Sequence, residues 1–347
     1  MRKLPDPSSL PPRVRTDVDY EKAGKQYGHL RIPRAHTHSG LGVIGIPIVV
    51  IKNGKGPTFL LTAGTHGDEF DGQVALLNLA RELEPAQVQG RVIIIPSLDL
   101  PAVEVGHRLC PYDGKDLNRV FPGNRLGSFT EMLADYVTRV LLPISDYNMD
   151  LHTGGTWHDT AFNTCSHFVD DPKQMKANID LGMAWGAPYH AVLREIDHTN
   201  SFMTTCDHLG IPALSCEFGG LARIGNAALA EIEKGVRNML KLHGIIEGKI
   251  VAPKMPTKLL GVPDPTRAIA FAPHGGIFHA MSLGGDWVEE GQLAGRIYDF
   301  HDPSRPPTEI RFPRSGCLWM IHTGPRVEAF DALCVVMNEL SRADIGL

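Results

Sequence analysis

The chain has 347 residues, 43% hydrophobic and 21% charged, which is typical of a globular protein with one sizeable core and a smaller domain. A net charge of -5 and a pI near 6.3 give no broad cationic field, which argues against nucleic acid as a partner. No run of 18 uncharged apolar residues occurs, and no apolar segment follows the start "MRKLPDPSSLPP", which argues against a membrane partner or export. The six cysteines form no C-x-x-C pair, which fits reduced thiols and a cytoplasmic location.

The first regular elements follow a proline-rich lead. The stretch "GLGVIGIPIVVIKNGKGPTFLLTAG" predicts two β-branched strands joined by a hairpin-type turn at Asn53-Gly54. Apolar residues at helical spacing in "DGQVALLNLARELEP" predict a helix that stops at Pro85. The next stretch, "GRVIIIPSLDLPAV", is predicted to be one continuous apolar strand buried on both faces. Together these segments indicate a strand, helix, strand unit.

The alternation of strands and helices continues to about residue 243. A helix is predicted in "SFTEMLADYVTRVLLPIS", with Ser128 and Glu131 in capping-box register, followed by a strand in "DYNMDLHTGG". Helices in "DPKQMKANIDLGMAWG" and "SFMTTCDHLG", the strand "IPALSCEFGG" and a helix over about 226–243 complete the pattern. This predicts an α/β fold whose mostly parallel or mixed sheet carries helices on both faces.

The composition changes near Val251, where glycine and proline begin to punctuate short strands. We therefore predict a catalytic domain over residues 1–255 and a small all-β domain over residues 256–347. The two halves of the second domain echo each other weakly, which resembles the barrel-sandwich arrangement of lipoyl and biotinyl domains. No lysine stands at the junction "HDPSRPPTEI" to carry a cofactor, so packing or gating is the expected role.

Candidate metal ligands lie at two predicted strand ends. His66 and Glu69 in "GTHGDEFDG" follow one strand, at the position where open α/β sheets place ligand sites. Taken alone, this H-x-x-E is equally compatible with acids at a helix N-terminus. A third ligand, His152, ends the strand in "NMDLHTGG". Two histidines and a glutamate form the ligand set of a catalytic zinc, with one coordination position left for water. One Zn²⁺ per chain is the expected cofactor.

The long loop "HRLCPYDGKDLNRVFPG" supplies candidate substrate contacts. The planar guanidinium of Arg119, with Asn118 beside it, suits recognition of a carboxylate, and Arg108 is placed to polarise a carbonyl oxygen. The alternative is a solvated surface loop with Arg119 exposed. The segment "REIDHTNSF" is a second candidate substrate loop, since specificity often resides between regular elements.

A candidate general base ends the strand in "IPALSCEFGG". Glu217 stands there before two glycines, where a carboxylate can take a proton from the attacking water and pass it to a leaving nitrogen. The alternative role is neutralisation of a nearby arginine.

Four motifs in order, "GTHGDE", "KDLNRVFPG", "DLHTGG" and "CEFGG", resemble the succinylglutamate desuccinylase/aspartoacylase family. The resemblance implies a zinc carboxypeptidase fold with an added C-terminal β domain. It also implies that His66, Glu69 and His152 are the zinc ligands and that Glu217 is the base. By the same resemblance, Arg108 stabilises the oxyanion, and Asn118 with Arg119 binds the substrate carboxylate. The spacing from Arg108 to the Asp-Leu-Asn-Arg motif is longer than in aspartoacylase. The fuller loop looks closer to the branch that contains the N-acetyl-diaminobutyrate deacetylase of ectoine breakdown.

The expected function is zinc-dependent hydrolysis of the amide bond of a small N-acyl amino acid. A metallocarboxypeptidase acting on short peptides is the nearest alternative, because the same apparatus hydrolyses either amide. A metal-dependent binding protein without turnover is the alternative from another class, although binding alone needs no base such as Glu217. The acyl group, the amine and the oligomeric state stay open, a homo-oligomer included.

Overall fold

The computed structural model of the protein describes residues 10–194, 200–262 and 267–347. These residues fall into two compact units. The first comprises the described part of Met1–Leu151, Thr199–Leu214 and Val236–Ile250; the second comprises the described part of His152–His198, Ser215–Gly235 and Val251–Leu347. Strands and helices are mixed along the chain, so the predicted α/β class is confirmed.

The first unit is built on a mixed sheet. Its strands are β1 (Arg15–Thr16), β2 (Gly24–Pro33), β3 (Val43–Asn53), β4 (Thr58–Ala63), β5 (Gly90–Ile95) and β6 (Tyr147–His152). Their order across the sheet is β1, β2, β3, β5, β4, β6. Three pairs are antiparallel, namely β1 with β2, β2 with β3 and β3 with β5. Two pairs are parallel, namely β5 with β4 and β4 with β6. Every residue of β4 and β5 is buried, as expected for central strands covered on both faces.

The predicted hairpin at Asn53-Gly54 is wrong. Both strands exist, but β5 lies between them and pairs with β3 on one side and β4 on the other. The Asn-Gly turn signal reports only that the chain reverses locally, with Gly54 at a φ of +65°. β5 decides the partner of each strand, because all six of its residues are buried and its apolar run Val92–Ile95 is covered best in the middle of the sheet.

The α-helices are α1 (Phe70–Glu82), α2 (Leu100–Val105), α3 (Phe129–Tyr136), α4 (Pro172–Trp185), α5 (Phe202–His208) and α6 (Asn226–Leu242). The predicted capping box of Ser128 and Glu131 is present at the start of α3. The continuous strand predicted for "GRVIIIPSLDLPAV" is wrong, because β5 ends at Ile95 and α2 begins five residues later. Asp99 caps α2 by accepting a hydrogen bond from the Ala102 N–H at 3.3 Å, and Pro101 suits the first helical turn.

The second unit contains further strands. They are β7 (His158–His167), β8 (Tyr189–Leu193), β10 (Lys258–Gly261), β11 (Ile269–Phe271), β12 (Gly276–Ala280), β13 (Trp287–Val288), β14 (Leu293–Tyr298), β15 (Thr308–Arg311), β16 (Gly316–His322), β17 (Arg326–Val327) and β18 (Ala332–Leu340). β9 (Ala213–Gly220) and α6 have residues in both units.

Five strands of the second unit close into a ring. β7 pairs with β8, β8 with β10, β10 with β18, β18 with β16, and β16 again with β7. A cluster of buried side chains draws on all five strands and includes Cys165, Ala191, Leu260, Cys317 and Val335. Closure satisfies the backbone groups that an open sheet would leave at its edges.

The ring combines strands from both sides of the predicted domain boundary. β10, β16 and β18 follow residue 255, whereas β7 and β8 precede it. The C-terminal segment is rich in strands, as predicted, and β15, β14, β12 and β17 form a separate four-stranded sheet. The division at residues 255/256 and the barrel-sandwich arrangement stay predictions. No helix in the described part of the chain is both long and apolar enough to cross a membrane.

Candidate metal centre

The register of β4 against β6 brings the candidate metal ligands to one edge of the sheet. Ala63, the last residue of β4, pairs with Leu151, and His152 follows as the last residue of β6. His66 and Glu69 lie in the turn between β4 and α1. Because the two strands are parallel, their carboxyl ends meet at the same edge.

The donor atoms of His66, Glu69 and His152 all lie within 4.8 Å of one another. All three side chains are buried, with residue exposures of 3%, 4% and 4%. In the described part of the chain, no other group of three histidine, cysteine or acidic residues has this proximity. The three ligands predicted from strand ends are therefore brought together.

Glu69 occupies the N-cap position of α1, but its side chain makes no capping hydrogen bond. Its Oε1 lies 2.7 Å from His66 Nδ1 instead. An acid that only complemented the helix dipole would face the first-turn N–H groups. The geometry therefore favours the ligand interpretation of this H-x-x-E over the alternative of a simple helix start.

Asp116 connects His66 to Arg108. Its Oδ1 lies 3.2 Å from His66 Nε2, while its Oδ2 accepts hydrogen bonds from Arg108 Nε at 3.0 Å and Nη2 at 2.9 Å. Nothing in the sequence pattern distinguishes this residue, although it stands two positions before Asn118 in "KDLNR". A carboxylate on the second nitrogen of a metal-binding histidine fixes the ring orientation and tautomer.

The charges around Asp116 strongly favour its ionised form. Burial alone would raise its pKa, but the hydrogen bond and charge of His66, together with Arg108 and Arg119, hold the pKa well below its usual range. Burial likewise lowers the pKa of His66, yet the Glu69 and Asp116 carboxylates outweigh burial and the Arg108 charge, so the pKa is raised. Since a metal ligand must be a neutral imidazole, a metal ion bound by His66 would compete with a proton for the ring.

A second buried carboxylate lies beside β4. Asp150 is 2% exposed, and its Oδ1 accepts hydrogen bonds from Thr62 Oγ1 at 2.7 Å and from Thr65 Oγ1 at 2.9 Å. These bonds tie the turn that carries His66 to the strand that ends in His152. Neither threonine was singled out from the sequence.

Gly67 allows the ligand turn to approach α2 closely. A Cβ at this position would lie 2.0 Å from the Ala102 carbonyl carbon and oxygen, and the Gly67 N–H donates to the His107 carbonyl at 3.0 Å. Only glycine fits such a backbone contact without displacing α2. The glycine in "THGDE" therefore holds His66 and Glu69 against the segment that leads to Arg108.

The predicted carboxylate-binding pair lies in the same loop as Asp116. The Asn118 N–H donates to Asp116 Oδ1 at 2.8 Å, and Asn118 Oδ1 accepts from the Phe202 N–H at 2.9 Å. Arg119 is exposed and donates from Nη1 to the Asn118 carbonyl at 2.9 Å. The loop is thus fixed at Asn118 while the Arg119 guanidinium faces solvent, and their predicted role stays a prediction.

Glu217 lies near the end of β9 in the second unit. Its neighbour Cys216 is 0% exposed, and the Cys216 Sγ donates to the His152 carbonyl at 3.7 Å. The Glu217 backbone carbonyl accepts from Asn163 Nδ2 at 3.3 Å in the pairing of β9 with β7. The role of Glu217 as base stays a prediction, as does that of Arg108. The other candidate loop, "REIDHTNSF", falls largely on residues 195–199, which lie outside the described residues.

The fold and the clustered donor set place the chain in a known class of protein. Residues 55–243 match the succinylglutamate desuccinylase/aspartoacylase catalytic domain family. The chain belongs to that family, as the four sequence motifs predicted.

Individual relatives are similar along almost the whole chain. The N-alpha-acetyl-L-2,4-diaminobutyric acid deacetylase of Halomonas elongata is 38% identical over 326 residues, which cover 94% of this chain and 95% of that protein. The succinylglutamate desuccinylase/aspartoacylase structure from Rhodobacter sphaeroides has a TM-score of 0.90 at 37% identity and covers 94% of this chain and 100% of its own. The product-bound ectoine utilization protein EutE (DoeB) of Ruegeria pomeroyi has a TM-score of 0.91 at 34% identity, with coverages of 95% and 99%.

Proposed function

We propose that this protein is a zinc-dependent hydrolase that cleaves the amide bond of a small N-acyl amino acid. The observation that carries the proposal is the buried His66, Glu69 and His152 donor set, in a chain 38% identical to a named deacetylase. Two histidines and one glutamate are a ligand set typical of catalytic zinc. Zinc bound there would polarise the acyl carbonyl and make the attacking water more acidic.

The protein side chains around the donor set have separate tasks in this proposal. Glu217 accepts a proton from the attacking water and delivers it to the leaving nitrogen. Arg108 stabilises the negative charge that develops on the acyl oxygen. Asp116 is ionised and bonded to both His66 and Arg108, so it orients the two groups and keeps their charges balanced.

Substrate recognition is assigned to Asn118 and Arg119. The exposed Arg119 guanidinium offers the planar pair of N–H groups that suits a carboxylate. The Oδ1 of Asn118 is bonded to the Phe202 backbone, so its Nδ2 supplies the donor for a ligand. This arrangement favours an amino acid with a free carboxylate over an uncharged amide.

The first substrate to test is N-acetyl-2,4-diaminobutyrate, because a relative that spans 94% of the chain is named for its deacetylation. N-succinylglutamate and N-acetylaspartate represent the other activities in the family name. We also propose a cytoplasmic location, a catalytic part over residues 1–255 and a β domain over residues 256–347.

The test is release of free amine from these three substrates and from a dipeptide by zinc-loaded protein. We expect turnover of one N-acyl amino acid and much slower hydrolysis of the dipeptide. Preferred hydrolysis of the dipeptide would support a carboxypeptidase instead. Stoichiometric zinc with no turnover of any substrate would support a binding protein and refute the proposal.

A further inference from the structure

A cavity of about 400 Å³ lies within the second unit, and its lining begins at Trp157, shortly after the proposed metal ligand His152 in the chain. Its lining includes Trp157, His158, His322, Arg326, Glu328 and Asp331. The first two follow β6, and the others come from β16, β17 and the turn before β18. The volume falls within the range of small-molecule pockets, about 300–1,000 Å³.

His322 is the most buried polar residue of this lining, with 6% of its surface exposed. Its ring centroid lies 5.2 Å from that of His158 and 6.2 Å from that of Trp157. No residue in the described part of the chain hydrogen-bonds to its Nδ1. Burial lowers the pKa of His322 despite the opposing effects of Asp331 and the Gly324 backbone, so the ring is neutral near pH 7. A neutral imidazole has one nitrogen that accepts a hydrogen bond.

The charged side chains of the cavity lining carry a net negative charge. Arg326 supplies one positive charge and Glu328 and Asp331 supply two negative charges, which sum to -1. Arg326 and Glu328 already form an ion pair at 3.0 Å. Asp331 is held in place because its Oδ2 accepts from the Glu328 N–H at 2.7 Å. Its carboxylate is therefore positioned in advance of any ligand.

The side chains do not form a second metal centre. In the described residues, only the His66, Glu69 and His152 group brings three donor atoms within 4.8 Å of one another. The cavity instead combines an aromatic face, a fixed carboxylate and a neutral acceptor, and all three interact favourably with an organic cation that carries N–H donors. An anion would meet the net negative charge.

We propose that this cavity binds the primary ammonium group of a small molecule. The ammonium lies against the indole of Trp157 and donates hydrogen bonds to Asp331 and His322. Binding of a free diamine goes beyond the hydrolase function and does not depend on it, whereas binding of a diamino acid rests on the proposed function, since such an acid is the expected product of the first substrate to test. The ammonium has two candidate sources, a free diamine and the side chain of a diamino acid.

The test is calorimetric titration of the zinc-loaded protein with 1,4-diaminobutane and, separately, with L-2,4-diaminobutyrate at pH 7. We expect at least one of them to bind, and the one that binds identifies the source. Asp331→Asn should weaken that binding about tenfold or more, since a charge-assisted hydrogen bond is lost. The asparagine Oδ1 can still accept from the Glu328 N–H, so the turn should persist.

Two further variants and one ligand control complete the test. Trp157→Phe keeps an aromatic ring but weakens the cation–π contact, so a loss of a few fold is expected. Glu289→Gln removes an exposed acid of the same unit outside the lining and should change nothing. The uncharged 1,4-butanediol should not bind. Absence of amine binding, equal binding of the diol, or binding unaffected by Asp331→Asn would overturn the proposal; the last result would assign the heat to another site such as the metal centre.

Discussion

The Asp116 carboxylate contacts His66 through one oxygen and Arg108 through the other. The first contact is 3.2 Å to His66 Nε2, and the second is a pair of bonds at 3.0 and 2.9 Å. One side chain thereby sets the orientation of a proposed metal ligand and of the proposed oxyanion-stabilising group. The same link keeps Arg108 beside Glu69, with Nη1 3.9 Å from Oε1.

Asp116→Asn should weaken zinc binding about 10- to 100-fold, the usual effect of losing a carboxylate behind a metal-binding histidine. The isosteric amide keeps the loop shape but removes the charge that holds His66 and Arg108. Competition with a chelator of known affinity measures the change. Glu104→Gln, an exposed acid in α2, serves as the matched control. Equal zinc affinity in both variants would show that Asp116 only shapes the loop.

Replacing His66 and His152 together by alanine should abolish stoichiometric zinc while the sheet stays folded. Only one glutamate of the donor set then remains, which is too few ligands for a structural or catalytic site. Metal content by mass spectrometry and the circular dichroism spectrum check the two halves of this prediction. Full zinc occupancy in the folded variant would place the metal elsewhere and remove the proposed mechanism.

Glu217→Gln should keep both fold and zinc but lower kcat about 100-fold or more, because general-base catalysis contributes on the order of 10²–10⁴. Initial rates of amine release measure the loss. Glu247→Gln, an exposed acid beyond α6, should retain normal turnover. Near-normal activity of Glu217→Gln would leave the residue with the alternative role of balancing a nearby arginine.

Arg119→Lys should lower kcat/KM for a free-acid substrate, with a loss of transition-state stabilisation of about 2 kcal/mol or more. The reason is that lysine keeps the charge but not the planar pair of donors. For the methyl ester of the same substrate, wild type should already be slow and the variant should differ little. Rates on the acid and the ester therefore separate carboxylate recognition from other roles. Equal losses on both would instead indicate a part in folding or in oxyanion stabilisation.

His190→Gln should reduce the acid sensitivity of the fold. His190 is fully buried between Thr164 Oγ1 at 2.8 Å and Ser166 Oγ at 3.1 Å, and burial lowers its pKa to about 3. In the unfolded chain the His190 imidazole takes up a proton near pH 6.5, whereas in the folded protein it stays neutral. The free energy of unfolding therefore decreases as the pH falls from 6.5 towards 3. At pH 4.5 the loss amounts to about 2 to 3 kcal/mol.

Urea unfolding at pH 7 and pH 4.5 measures this effect. The drop in unfolding free energy between the two pH values should be smaller for His190→Gln than for wild type by roughly 2 kcal/mol. His208→Gln, which changes an exposed histidine in α5, should keep the wild-type drop. A drop of the same size in all three proteins would mean that other groups dominate acid unfolding.

Local sequence was sufficient for most elements and for the candidate metal ligands. Apolar runs and helical spacing predicted β4, β6, β9 and the main helices, and the capping box predicted the start of α3. Polar residues that interrupt an apolar run at a strand end are hard to explain by packing, so His66, Glu69 and His152 stood out without any coordinates. The four motifs in order were enough to identify the family.

Tertiary structure alone decided which strands pair and which carboxylates support the site. The turn at Asn53-Gly54 looks like a hairpin, but β5 inserts between its strands because its buried surface is satisfied only with neighbours on both sides. The same holds for the closed ring, where β16 pairs with β7 although more than 150 residues of sequence separate the paired positions. Asp116 is one acid among several in a charged loop until folding brings it to His66. The spacing of residues along the chain reports local conformation. Strand pairing and the contacts of supporting residues such as Asp116 depend instead on the burial gained when distant segments come together.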